Sequence, residues 1–122
     1  MPLLFVYGEL ERSDDNEDLC CAMGELRLRT TGADTADLPD AAANFQKTTG
    51  IVWGQLQTVT YTELAKLDQK EAPEYGRVAL TVMLPDRSTV KAFAYQYLNT
   101  LEFRGMPRIA SGDFQKYMRG KK

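Results

Sequence analysis

Histidine is absent from these 122 residues, which removes the serine–histidine triad, the imidazole general base and every histidine-ligated metal site. Cysteine is nearly absent. Cys20 and Cys21 stand side by side with no others; neighbouring cysteines rarely bridge each other and two cannot form a disulfide framework, so reduced thiols and a cytoplasmic location are expected. Two cysteines also make no structural zinc site, and no metal is expected. A membrane span needs about 20 consecutive apolar residues, and no run here comes near that length. The opening "MPLLFVYGEL" lacks the basic start and the long apolar stretch of a secretory signal. Acid–base chemistry, where the chain performs any, must come from Glu, Asp, Tyr, Lys or Cys.

The composition is that of an ordinary globular protein, 43% hydrophobic and 26% charged, and its length fits one domain spanning residues 1–122. The net charge of −2 is unevenly spread. Residues 9–18, "ELERSDDNED", set six acids against Arg12, while residues 104–122 set six bases against Asp113. A basic tail can mark nucleic-acid contact. Its aromatics, Phe114 and Tyr117, are spaced for helix packing rather than interleaved for base stacking, which argues against a nucleic-acid partner.

The pattern along the chain predicts an α+β fold. "PLLFVYG" reads as a buried first strand ended by Gly8. Residues 13–23 read as a helix capped by Ser13 or Asp14 and stopped by Gly24. "ELRLRTTG" alternates as a half-exposed strand, and residues 32–50 read as one long loop. "IVWGQLQTV" is a further strand. Thr60 with Glu63 forms a capping box for a helix that Pro73 ends. "YGRVALTVML" and "TVKAFAYQYL", joined by "PDRS", form a hairpin, and Ser111 opens a terminal helix. The expected architecture is a single small domain with a mixed, mostly antiparallel, barrel-like sheet and flanking helices.

Within the helix before Pro73, Leu64 and Leu67 set an apolar stripe, and Glu71 falls seven residues after Leu64. Seven residues are nearly two turns, so Glu71 leaves the helix from almost the same face as Leu64. Partial desolvation there raises a carboxyl pKa toward the range useful for proton transfer. The competing reading is that the last turn frays and releases Glu71 to solvent or to Arg77. A second feature is "VYGEL", where Gly8 follows a buried strand: strand-end N–H groups can hold an anion, or the glycine simply ends the strand.

"LLFVYGEL", "GIVWGQLQTV" and "LDQKEAPEYGRVAL", in that order, resemble the γ-glutamylcyclotransferase-like superfamily, whose members carry a Y-G-x-L loop, an L-D-x-x-E-G stretch and a Y-x-R strand. "TADLPDAA", "VKAFAYQY" and "IASGDFQKY" extend the resemblance from Leu3 to Tyr117. The resemblance implies a small mixed barrel and a cofactor-free enzyme. Its substrate would be a small γ-glutamyl conjugate, from which it releases an amine or amino acid as the glutamyl group closes to 5-oxoproline. It also implies Glu71 as the catalytic acid and base; Tyr7, Gly8, Glu9 and Leu10 as the substrate loop; and Tyr75, Arg77 and Tyr95 as further binding residues. Tyr95 and Tyr97 are read as alternating along their strand, so only one of them is expected to face the cavity. Two positions depart from the family pattern: Glu9 replaces Thr or Ser, and Ala72 replaces Gly. With the acidic run that follows, Glu9 favours a cationic leaving amine over glutathione. Two other readings stand beside the enzyme: a catalytically silent small-molecule-binding module on the same fold, and an interaction protein acting through the basic tail.

Overall fold

The computed structural model describes residues 2–7, 20–29, 40–45 and 50–119. Within them, seven strands and three helices follow one another in the order β1 (Leu3–Val6), β2 (Cys20–Met23), β3 (Glu25–Arg29), β4 (Asp40–Asn44), β5 (Ile51–Thr58), α1 (Tyr61–Glu71), β6 (Tyr75–Met83), β7 (Thr89–Tyr97), α2 (Thr100–Arg104) and α3 (Phe114–Arg119). Five strands close a barrel in the order β1-β5-β2-β6-β7, and β3 and β4 form a separate antiparallel pair. β1 runs parallel to β7, with Leu4 beside Phe93, and every other barrel contact is antiparallel. The mixed barrel expected from the sequence is the fold.

Alternation along the strands divides the apolar residues into two cores. Phe5, Cys20, Ala22, Val52, Val82, Ala92 and Ala94 come from all five barrel strands and meet in one buried cluster, the barrel interior. A five-stranded barrel is narrow, so small residues on β7 make room for Phe5. The opposite faces of β1 and β7 supply Leu4, Val6, Tyr95 and Tyr97, which pack with Leu64 of α1 and Phe103 of α2. Close approach also explains Gly54. A Cβ there would stand 2.1 Å from the Val6 carbonyl oxygen, so only glycine lets β5 lie against the end of β1.

α1 forms where the capping box predicts. The Thr60 side chain accepts from the Glu63 N–H at 3.0 Å, and the Glu63 carboxylate accepts from the Thr60 N–H at 2.8 Å. The Ala72 cap has φ −70° and ψ 151°, ordinary extended backbone. Alanine in place of the family's glycine therefore costs this helix end no backbone strain.

Three sequence expectations are corrected. Cys20–Met23 is not the end of a helix but strand β2, paired with β5 from Cys20↔Gly54 to Met23↔Ile51; the rest of that expected helix lies outside the described residues. The expected loop at 32–50 contains β4, whose Ala41–Ala43 pair with Leu28–Leu26. The terminal helix is capped by Asp113, whose carboxylate accepts from the Lys116 N–H at 3.0 Å, while Ser111 accepts from the Asp113 N–H one step earlier. The short helix α2, capped by Asn99, had no counterpart in the sequence reading.

Candidate active site

The end of β1, the second half of β7, the start of β6 and the last turns of α1 converge on one side of the barrel. The parallel β1–β7 contact sets this up: both strands run the same way, so Tyr7, just past β1, reaches the backbone near the end of β7. Tyr7 is buried, its ring meets Phe5 and Phe45, and its hydroxyl donates to the Tyr95 carbonyl. Tyr95 thus receives β1 through its backbone while its side chain points the other way, to α1.

There the Tyr95 hydroxyl donates to Asp68 Oδ1 at 2.7 Å and lies 3.3 Å from the Leu64 carbonyl. Arg77 of β6 stands directly across from Tyr95 in register, which sets both on one face of the sheet. Its guanidinium approaches Asp68 Oδ2 at 3.5 Å and lies over the Phe93 ring at 5.0 Å. Glu71 follows Asp68 by three residues, half-buried at the end of α1. The Tyr95 phenol is pushed well above its ordinary range: burial is the main cause, followed by the hydrogen bond to Asp68 and its charge, with the Glu71 charge adding and Arg77 opposing.

Of the residues selected from the sequence, Glu71, Arg77 and Tyr95 therefore share one neighbourhood, and Tyr7 touches it through the Tyr95 carbonyl. Tyr75 belongs to another. Its hydroxyl donates to the Ala41 carbonyl at 2.7 Å, its ring meets Tyr97 edge-on at 5.2 Å, and the Arg29 guanidinium covers both rings. Gly8, Glu9 and Leu10 lie outside the described residues, as does the acidic run 11–18 on which the expectation of a cationic leaving amine rests.

Two points of the sequence reading change. Tyr95 and Tyr97 are two residues apart, so they share a face rather than alternate, and both join the helix-side core; their hydroxyls diverge to Asp68 and to Glu102. Asp68 was missed altogether, although its spacing of three from Glu71 on a helix is the signal that would have found it.

A cavity of about 430 Å³ opens elsewhere, where β2 and β6 part after the single Cys21↔Met83 pairing, and Met23, Phe45, Ile51 and Leu80 help to line it. Among the described residues, none of those selected from the sequence lines it. Among the described residues no cluster of His, Cys, Asp or Glu could hold a metal ion, and no helix is long and apolar enough to cross a membrane.

Solved structures share this fold. YkqA of Bacillus subtilis aligns with a TM-score of 0.70 at 21% identity over 99% of this chain, which spans only 43% of YkqA. An AIG2-like protein of Mus musculus aligns with a TM-score of 0.66 at 24% identity, covering 93% of this chain and 88% of its own. A protein described as gamma-glutamyl cyclotransferase aligns with a TM-score of 0.63 at 15% identity, over 88% of this chain and 69% of its own. At these identities the likeness concerns the fold. No curated protein matches the sequence. The family described as gamma-glutamyl cyclotransferase, AIG2-like, matches residues 4–116. From the first barrel strand to the last helix, the chain belongs to that family.

Proposed function

We propose that this chain is a cofactor-independent cyclotransferase that releases an amine or amino acid from a small γ-glutamyl conjugate and leaves 5-oxoproline. The observation that carries the reading is the place of Glu71, half-buried on the last turn of α1, three residues after the Asp68 that meets the Tyr95 hydroxyl and Arg77, on the side of the barrel where β1 delivers Tyr7. Family membership supplies the reaction class.

The chemistry asks little of the protein. The substrate's α-amine attacks its own γ-carbonyl, forming the ring C–N bond; the tetrahedral intermediate then expels the amide nitrogen. Ring closure within one molecule is worth an effective molarity of ~10⁵ M or more once the glutamyl arm is folded. Two tasks remain. Glu71 takes the proton that the α-ammonium must lose and returns one to the departing nitrogen, a contribution of ~10²–10⁴-fold. Backbone N–H groups of the Tyr7–Leu10 segment, with Gly8 and Glu9 between, hold the substrate carboxylate or the developing oxyanion. Arg77 supplies positive charge beside Asp68 and Glu71, Tyr95 links β7 to that turn through Asp68, and Tyr75 braces the start of β6. No step calls for a histidine, a thiolate or a metal, which fits the residue inventory of the chain.

Glu71→Gln tests the reading. The variant should release no 5-oxoproline from any member of a γ-glutamyl-amine panel followed by mass spectrometry, while a glutamyl ligand still raises its melting temperature. A wild-type protein that gains thermal stability from such ligands yet forms no product would select the silent binding module instead. Wild-type turnover that survives Glu71→Gln would remove Glu71 from the mechanism.

A further inference from the structure

α1 has eleven residues, too short to hold its end by helix propensity alone. Its apolar anchors stop early: Leu64 is fully buried and Leu67 partly so, and Asp68, Gln69, Lys70 and Glu71 follow with no further apolar side chain. A turn built that way should fray. Yet the turn carrying Glu71 is tied to the barrel at Asp68, where three elements meet. One carboxylate oxygen accepts the Tyr95 hydroxyl of β7 at 2.7 Å, and the other faces Arg77 of β6 at 3.5 Å. The Asp68 carbonyl accepts the Ala72 N–H at 3.1 Å, the bond that closes the helix.

We infer that Asp68 is a positioning residue: it docks the last turn of α1 on β6 and β7 and thereby fixes Glu71 against the barrel. The inference rests on Glu71 as the proton-transfer group of the proposed reaction, but the docking itself is a physical claim that can be read without substrate. Asp68 touches no reacting atom in this scheme. It acts through the turn it holds and through its two partners. The Tyr95 hydroxyl has one hydrogen, and both oxygens near it, Asp68 Oδ1 and the Leu64 carbonyl, are acceptors. Tyr95 is therefore no proton donor to substrate, and proton delivery stays with Glu71. The Arg77 guanidinium is held between Asp68 and the Phe93 ring, so its charge is kept beside the Glu71 turn rather than swinging into solvent.

The test compares Asp68→Ala, Asp68→Asn and Asp68→Glu with wild type in two measurements on the full chain. The first is amide hydrogen exchange without ligand. Asp68→Ala should speed exchange at residues 70–72 by about tenfold or more and leave β5 and β7 unchanged. The second is steady-state turnover of the best panel substrate. A loosened general acid and base should lower kcat by about 10–100-fold with KM changed less than about threefold, since misplacement of ~1 Å is enough for such losses. Asp68→Asn keeps an acceptor for Tyr95 but loses the charge facing Arg77, and should fall between Asp68→Ala and wild type in both readouts. Asp68→Glu keeps the charge and should recover part of kcat. Unchanged exchange at 70–72 overturns the inference, as does faster exchange across the whole barrel, which would make Asp68 merely structural. A raised KM with unchanged kcat also overturns it, by moving Asp68 into substrate binding. If wild type forms no 5-oxoproline, the proposed function fails, and the exchange pattern alone upholds or overturns the docking role.

Discussion

Replacing Gly54 with alanine should be among the most damaging single-methyl changes in this chain. The added Cβ would stand 2.1 Å from the Val6 carbonyl oxygen and 3.0 Å from both the Val6 carbonyl carbon and the Phe5 ring. A carbon and an oxygen in ordinary contact sit more than 1 Å farther apart than that, and the obstructing atom is backbone, so no rotamer change relieves it. β1 must back away from β5, against four register pairs running from Leu3↔Thr58 to Val6↔Gln55 and against Phe5 in the barrel interior. Overpacking of this kind costs about 1–3 kcal/mol, and a backbone clash belongs at the upper end, about 3 kcal/mol. For a domain of this length that lowers Tm by roughly 12 °C. Gly105→Ala is the control. Gly105 has φ −83° and ψ −7°, open to any residue, and its nearest obstruction is 3.5 Å away. Alanine there removes unfolded-state entropy and should stabilise by about 0.4–1 kcal/mol. Urea unfolding with unchanged m-values reads both. A Gly54→Ala protein within about 0.5 kcal/mol of wild type would refute the close-approach argument. The site should feel the same change, because a displaced β1 carries Tyr7 away from the Tyr95 carbonyl that its hydroxyl now meets.

Tyr95 and Cys21 supply two further predictions. Burial, with Asp68 behind it, raises the Tyr95 phenol far above its ordinary 10.0. The folded state then holds a proton that the unfolded chain gives up, so this contribution to stability is complete below pH 10.0 and is lost as pH climbs toward the folded value. Stability followed by urea unfolding should fall more steeply above that pH in wild type than in Tyr95→Phe; parallel curves would contradict it. The Cys21 thiol is buried, and burial raises its pKa. Iodoacetamide at pH 8 should label it at least about tenfold slower than an exposed thiol, with full labelling in denaturing urea, as counted by peptide mass spectrometry.

What the sequence revealed and what it hid follow from how each segment is buried. β6 and α1 each show one wet face and one dry face, so their periods of 2 and 3.6 stand out, and β5 and β7 alternate over their first halves before both faces are covered. β2 does not. Cys20 and Ala22 face the barrel interior while Cys21 is buried on the other side, which erases alternation and leaves a short apolar run after an acidic stretch that looks like a helix start. β4 is hidden by composition: alanine is a poor strand former, yet Ala41, Ala42 and Ala43 are at most 3% exposed and divide their packing between the two cores. Only a three-dimensional slot that narrow demands three alanines. Of the candidate site, Glu71 could be reached by counting turns and Arg77 and Tyr95 by resemblance. Asp68 was marked only by its helical spacing from Glu71 and its place in the L-D-x-x-E-G stretch; its partners lie on β6 and β7, which follow later in the chain.

The end of α1 also breaks a local rule. A helix C-terminus carries partial negative charge and favours basic residues, and an acid placed there costs about 0.3–1 kcal/mol. α1 has Lys70 in its last turn but sets Asp68 and Glu71 around it on the wrong end of the dipole. Helix stability does not explain two acids there; exchanging them for lysine or glutamine would give a better-behaved helix. The compensation comes from outside: Arg77 from β6 faces Asp68, and the Tyr95 hydroxyl from β7 donates to it. Asp68 is thereby held by elements that have no need of it for their own pairing. Sequences that specify a fold are locally consistent nearly everywhere, and their inconsistencies gather where function is served. An acid at the negative end of a short helix, steadied by a second acid that two barrel strands hold in place, is such an inconsistency, and a proton-transfer group is what it would serve.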